Sequence, residues 1–373
     1  MRFETAVAKH QEFAQDVWAK LTRKLPGSLQ KATKLSYIPY TTCQNEWKPA
    51  PFDGICWWTN GFWPAEMWQM YLHTGMEAYR AEAERVEDML DEAFDEFDHL
   101  HHDVGFMWLI SAGVNYRLTG NDQSRKRVLK AANLLAGRFN PNGFIRAWNE
   151  DKHGWAIIDC MMNLNLLYWA SEHTGDPRFR QIAMAHADTA MKHFVREDGS
   201  VEHIVCFDPE NGEVLEKLAG QGYAQGSAWS RGQAWGLYGF VLSYLHTGKA
   251  EYLQTAEKIA AFFVENVKRT GVPLCDFRQP EDDLFDACAG AIAACGLIEL
   301  SRITEDEGWL DAAVDMLKAM EARCADWSLE EPAVLQNCTG SYSGNDHHIT
   351  MVYADFFFVE AMAKLSGEKL RFW

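Results

Sequence analysis

Six short runs concentrate the residue types that do chemistry. They are Cys56-Trp57-Trp58-Thr59-Asn60-Gly61-Phe62-Trp63, His101-His102-Asp103-Val104-Gly105-Phe106, Ile157-Ile158-Asp159-Cys160, Trp229-Ser230-Arg231-Gly232-Gln233-Ala234-Trp235, Asp286-Ala287-Cys288-Ala289 and Asp346-His347-His348. Asp159 stands between Ala156-Ile157-Ile158 and Cys160-Met161-Met162. An apolar setting disfavours the charged form, so its pKa is expected to rise toward that of a general acid near neutral pH. Asp103 follows two histidines, a more polar setting in which a carboxylate is expected to stay ionised. Two carboxyls held at different pKa values suit the cleavage of a sugar linkage. N-capping of helices is the plainer reading of any single Asp or Asn here, and it stays open for each alone. The set of six argues for function.

His101-His102-Asp103 also invites a metal reading. Adjacent histidines at a helix entry point in different directions, and no H-x-x-x-H or third ligand lies at the spacing a metal requires, so no metal is assigned. In the 229–235 run a guanidinium sits between two indoles. Arg holds a carboxylate in a bidentate fork while Trp stacks on a ring, a combination suited to an acidic sugar. There is no P-loop, no G-x-G-x-x-G after a strand and no G-x-S-x-G, which leaves nucleotide cofactors and serine chemistry without support.

Twelve helices are needed to position these runs. Apolar periodicity places them at Phe3–Leu25 and at about 61–73, 77–95, 104–117, 122–137, 158–173, 177–195, 231–246, 250–268, 286–302, 307–323 and 351–365. Glycine punctuates them at Gly75, Gly120, Gly175, Gly248, Gly308 and Gly367, about every 58 residues. A Gly at a helix C′ position followed at once by a new helix marks a tight antiparallel hairpin. Helices before a turn, such as Cys160–Trp169 and Ala289–Leu297, are apolar nearly all round, whereas those after it, such as Asp176–Phe194 and Ala250–Phe263, carry a charged stripe. The first kind is buried and the second lies on a surface. Six such hairpins predict an all-α fold, an (α/α)6 barrel over residues 1–373 with no linker to divide it. The connections into the inner helices are long, at about 26–60, 96–103, 138–157, 196–230, 269–285 and 324–350. All six are expected on one face, where function concentrates.

Composition narrows the partners. The 373 residues carry 53 acidic against 35 basic side chains, a formal charge of −18. Such a surface repels phosphate backbones and anionic lipid, so neither nucleic acid nor a membrane is expected as partner. Apolar runs such as Ala289–Leu300 fall short of the ~20 residues a bilayer needs. Nine scattered Cys without a C-x-x-C pair, and an N-terminus lacking an apolar leader core, predict free thiols and a cytoplasmic location. Fifteen Trp is a high count for this length and suits a cleft that stacks on pyranose faces.

Read together, the runs at 101–106, 157–160 and 229–235 with Phe207-Asp208-Pro209-Glu210-Asn211-Gly212 resemble glycoside hydrolase family 88, the bacterial unsaturated glucuronyl hydrolases. The likeness extends from Trp58-Thr59-Asn60-Gly61-Phe62-Trp63 to Tyr353-Ala354-Asp355, nearly the whole chain. It implies an (α/α)6 barrel acting on oligosaccharides left by polysaccharide lyases, whose non-reducing-end uronic acid carries a C4=C5 double bond. It also implies hydration of that vinyl ether. Asp159 would give a proton to C4 and help activate water for C5, the hemiketal then rearranging to release the neighbouring sugar and a keto-deoxy uronate. Asp103 would be the second essential carboxylate. His102, His203, Gln221 and Arg231 match polar contact positions, as does Asn60, while Trp58, Trp148, Trp229 and Trp235 match aromatic walls. Ser341 and Ser343, in Ser341–Asp346, are placed at the next-sugar subsite. No cofactor is implied, and a monomer or weak homo-oligomer is expected. One departure is Gly220, where some relatives have the histidine of a His-Gln-Gly run; it bears on the carboxylate-side contacts and on preference among sulfated and unsulfated disaccharides.

Three other readings remain at this stage. An unsaturated rhamnogalacturonyl hydrolase would share fold and chemistry on pectin fragments. An (α/α)6 sugar epimerase would centre on His203 with His347 or His348. A sugar-binding toroid without activity would make the acidic residues dispensable.

Overall fold

The computed structural model describes residues 2–51, 54–368 and 371–373. Its helices are α1 (Arg2–Ala8), α2 (Gln11–Ala32), α3 (Phe62–Thr74), α4 (Glu77–Met89), α5 (Glu92–Asp95), α6 (Val104–Trp108), α7 (Ala112–Thr119) and α8 (Asp122–Gly137). There follow α9 (Cys160–Thr174), α10 (Pro177–His193), α11 (Ser230–Thr247), α12 (Ala250–Val267), α13 (Ala287–Thr304), α14 (Glu307–Cys324) and α15 (Val352–Leu365). Helices α3, α6 with α7, α9, α11, α13 and α15 pack in sequence, and α15 returns to α3, closing an inner ring. Helices α4, α8, α10, α12, α14 and α2 lie outside it.

Burial separates the two rings as the charge pattern demands. Every residue of α11 from Ser230 to Ser243 is buried, as is every residue of α13 from Ala287 to Ser301. In α12 only Tyr252, Thr255, Ala256, Ile259, Ala260, Phe263 and Val267 are buried, at the three-to-four residue spacing of one face. Helix α13 is long and apolar enough to cross a membrane by composition alone, beyond the shorter apolar run recognised in the sequence, yet it is a core helix of the inner ring.

Hairpins close on left-handed residues. Gly75, Gly120, Gly175 and Gly248 cap α3, α7, α9 and α11 at φ of 68°, 75°, 74° and 69°. The fifth turn departs from expectation. Glu305 takes the left-handed position after α13 at φ 57°, and Gly308 lies in the first turn of α14. Two helices are also interrupted. The expected helix at 104–117 divides at 109–111, where the Ser111 hydroxyl bonds the Met107 carbonyl, a local bond that bends helices. The first expected helix breaks after Ala8 and then runs through Pro26 to Ala32.

The long connections contain short antiparallel strands that helical periodicity does not reveal. These are β1 (Thr41–Cys43) with β2 (Glu46–Lys48), β3 (Phe139–Asn140) with β4 (Phe144–Ile145), and a sheet of β5 (Trp155–Ile157), β6 (Ile204–Phe207) and β7 (Val214–Leu218) in that order. The connections interlock at one end of the ring. The His102 N–H donates to the Ala147 carbonyl at 3.1 Å, Tyr342 N–H to Gln221 at 2.9 Å and Ala287 N–H to Asn337 at 3.0 Å.

Candidate active site

Asp159 and Asp103 stand immediately before α9 and α6, and neither side chain caps its helix. Capping therefore fails as their explanation. It holds for Asp286, whose carboxylate accepts the Cys288 N–H at 3.2 Å. The sheet sets the position of Asp159. Ile157 pairs with Ile204, and the Ile158 N–H donates to the His203 carbonyl at 3.1 Å, so Asp159 leaves the strand beside His203. Its Oδ1 is enclosed with no hydrogen-bond partner. Burial raises its pKa to about 7, against the lowering pull of Arg231.

Asp103 does not have the ordinary carboxylate pKa that its neighbours in sequence suggested. It is buried, and desolvation together with the charge of Asp159 raises its pKa well above the usual carboxylate range. The two histidines supply little compensation. His102 is itself buried and held neutral, first by desolvation and then by the charge of Arg138, with Nε2 3.4 Å from Asp103 Oδ1. The result is a carboxyl pair, Asp103 buried and Asp159 half-buried, that cannot easily carry two charges.

Asn163, a residue the sequence reading missed, ties this pair together. Its Nδ2 lies 3.3 Å from Asp103 Oδ1 and 3.4 Å from the Asp159 carbonyl, while its Oδ1 accepts the Phe106 N–H at 3.0 Å. Gly105 makes room for it, since a Cβ there would come within 2.6 Å of Asn163 Oδ1. The available signal was a polar residue one turn after Asp159 inside an otherwise apolar helix.

His203 packs with its ring centroid 4.2 Å from that of Trp229, and burial lowers its pKa to about 3. His203 Nδ1 lies 3.0 Å from the donating Gln221 N–H and 3.1 Å from the Ala219 carbonyl, so the 219–221 loop holds the ring in place. With its pKa lowered to about 3, His203 is too weak a base for the role an epimerase would give it. His347 is occupied too, with Nε2 3.0 Å from the Ser341 carbonyl and 3.1 Å from that of Tyr342. Gly220 adopts φ +58°, and a Cβ there would stand 2.0 Å from His203 Nδ1. A histidine does not fit this position as the loop stands.

Several expected contact residues serve the scaffold. Arg231 is buried, its fork directed to Asp286 Oδ2 at 2.8 Å and to the carbonyls of Thr339 at 2.8 Å and Gly340 at 2.7 Å. It anchors the 339–350 loop and stacks over Trp229 at 4.7 Å. Gln221 Nε2 donates to the same Gly340 carbonyl at 2.5 Å. Asn60 Nδ2 donates to the carbonyls of Gly54 and Ile55, both at 3.0 Å, and so closes its own loop. Trp229 and Trp235 are buried beneath the face with their indole N–H groups unpaired. Trp58 and Trp148 are half-buried and present ring surface; Ser341 is half-buried and Ser343 exposed. Among the described residues, the close group of possible metal ligands is Asp286, Cys288 and Cys338, not the run at 101–103, and its carboxylate is paired with Arg231.

A closed ring of helical hairpins with a carboxyl pair at the inner-helix N-termini defines an (α/α)6-barrel hydrolase. Residues 20–245 match the model of Glycosyl Hydrolase Family 88. The chain is 36% identical over 334 residues to the unsaturated glucuronyl hydrolase of Bacillus sp. (strain GL1), which covers 85% of this chain and 88% of that protein. The solved structure of the Bacillus sp. GL1 enzyme has a TM-score of 0.87 over 93% of this chain and 96% of its own, at 33% identity. Identity to the unsaturated chondroitin disaccharide hydrolase of Streptococcus pyogenes serotype M1 is 32% over 330 residues, 85% of this chain and 83% of that one. A variant of the Streptococcus agalactiae unsaturated glucuronyl hydrolase, solved with dGlcA-GalNAc6S, has a TM-score of 0.80 at 25% identity, covering 99% of this chain and 94% of that one. This chain belongs to glycoside hydrolase family 88.

Proposed function

We propose that the protein releases the unsaturated, 4-deoxy-4-enuronic acid from the non-reducing end of glycosaminoglycan-derived oligosaccharides by hydrating the C4=C5 vinyl ether. The observation that carries the residue roles is the enclosed, unpartnered Oδ1 of Asp159 on a carboxyl with pKa about 7. Near neutral pH such a group is protonated in a substantial fraction of molecules, and its Oδ1 has no partner to take that proton, as a proton donor requires. Asp159 gives that proton to C4, and charge develops at C5 beside the ring oxygen. The resulting carboxylate accepts a proton from the water that adds to C5. The hemiketal then opens, the C1–O bond to the neighbouring sugar breaks, and the products are the free sugar and a keto-deoxy uronate.

Asp103 and Asp159 share one proton in the working form, and Asp103 faces the ring hydroxyls. Neutral His203 and Gln221 lie on the carboxylate side of the pocket. Trp58 and Trp148 flank the sugar, and Ser341 and Ser343 border the next subsite. The relatives that act on chondroitin disaccharides favour a glycosaminoglycan fragment over a pectin fragment. Incubation with an unsaturated chondroitin or hyaluronan disaccharide, followed by ultraviolet absorbance of the conjugated alkene, tests the assignment. Absorbance lost on these and retained on rhamnogalacturonyl fragments supports it; retained absorbance on every glycosaminoglycan fragment overturns it.

A further inference from the structure

Buried arginines in this protein mostly come with carboxylates. Arg127 meets Glu87, Asp88 and Asp91, and Arg231 meets Asp286. Arg138, half-buried at the end of α8, is different, as is Arg117, whose N–H groups reach the Gly113, Arg371 and Phe372 carbonyls. Among the described residues Arg138 forms no ion pair, and its neighbour in charge is a second cation, Arg146. Its N–H groups go to uncharged acceptors. Nε donates to the Arg146 carbonyl at 2.9 Å, Nη1 to Asn149 Oδ1 at 2.9 Å and the Leu100 carbonyl at 3.2 Å, and Nη2 to Ala147 at 3.0 Å and Trp148 at 2.8 Å.

Those acceptors belong to two of the connections that build the active face. Leu100 leads into His101-His102-Asp103, while Ala147, Trp148 and Asn149 form the loop bearing the half-buried Trp148. The same Ala147 carbonyl accepts the His102 N–H at 3.1 Å, and Asn149 Nδ2 reaches back to the Asp98 carbonyl at 2.7 Å. One planar guanidinium therefore ties the Leu100 carbonyl, on the backbone leading to Asp103, to the Trp148 carbonyl, on the backbone that bears the ring. No lysine could make five bonds in this fork geometry.

We propose that Arg138 is a positioning residue of the reaction, which locks the Asp103 loop to the Trp148 loop and supplies the positive charge beside the carboxyl pair. The inference rests on the reading of Asp103 and Asp159 as the working pair. The groups facing Asp103 are Asp159, Asn163 and Cys160 from the start of α9, His102 on its own loop, and Arg138. Those around His102 include His101, His186 and His203, and burial lowers the last two to about 3. Arg138 is thus the cation that favours an ionised Asp103, and it lowers His102 by the same field. Its own pKa falls to about 10 through burial and Arg146, which leaves it charged throughout the working range.

Arg138→Lys and Arg138→Gln separate the two contributions. With unsaturated chondroitin disaccharide as probe, both variants are expected to lose kcat by roughly tenfold or more, because the two loops are no longer held in register. Only Arg138→Gln removes the charge, so only there does the acidic limb of kcat/KM, which reports the first proton lost by the pair, move to higher pH, by about half a unit or more. Unchanged limbs in Arg138→Gln, or near wild-type kcat in Arg138→Lys, would overturn the proposal. If Arg138→Gln does not fold, the kcat of Arg138→Lys decides. Wild-type inactivity on the disaccharide is a separate outcome, one that removes the proposed activity and not the role of Arg138 in the loops, which the thermal midpoint of both variants still reads.

Discussion

The Gln221 N–H donates to Nδ1 of His203 at 3.0 Å, across a residue, Gly220, whose Cβ position is occupied by the imidazole itself. The contact, with the Ala219 carbonyl 3.1 Å from the same nitrogen, draws the 219–221 loop onto the inner-helix ends. Gly220→Ala places a side chain both at φ +58° and 2.0 Å from His203 Nδ1. Left-handed backbone alone costs ~1–2 kcal/mol, and the clash displaces the ring. We expect a lower thermal midpoint together with a KM raised several-fold; an unchanged KM would disconnect this loop from substrate.

Asp159→Asn should abolish turnover and yet strengthen the fold at pH 8. An Asp with pKa about 3.8 unfolded and about 7 folded binds more protons in the native state between those values. Stability then falls as pH rises from about 4 to 7 and stays low above. Asn lacks this penalty, so its advantage is largest above pH 7 and vanishes below pH 4. Thermal melts at pH 4 and pH 8 read it directly, with a gain of order 1 kcal/mol at the higher pH after allowance for solvent near a half-buried group.

The same value sets the pH profile. A proton donor must hold its proton, so kcat/KM should decline as pH rises through about 7. A profile flat to pH 9 would move the acid role to another group.

Glu305 provides a test remote from the site. It holds the left-handed cap of α13 at φ 57°, where four other hairpins place glycine. Glu305→Gly relieves ~1 kcal/mol and should raise the thermal midpoint by a few degrees without changing kcat.

Periodicity and turn glycines were enough to read the helical rings, because inner and outer helices differ in a property carried by every residue: burial on all sides or on one. The strands were illegible because each is two to five residues long and lies in a connection without alternating pattern. Asp159 was legible because its apolar neighbours in sequence are also its neighbours in space. Asp103 was not, because its burial comes from α9 and the loop at 147, far along the chain. Arg231 suggested a substrate fork, but Asp286 and the 339–340 carbonyls take up that fork first. Asn163 and Arg138 are ordinary in sequence and acquire meaning only from their partners.

The central claim is that the alkene is hydrated before any glycosidic bond breaks. A disaccharide analogue with sulfur in place of the glycosidic oxygen isolates that step, since thioglycosides resist protonation-driven cleavage at C1 whereas the C4=C5 bond is untouched. We predict that the enzyme consumes the ultraviolet absorbance of the sulfur-linked analogue at a rate close to that of the natural substrate. Absorbance that persists on the analogue while the oxygen-linked disaccharide is turned over would contradict the account.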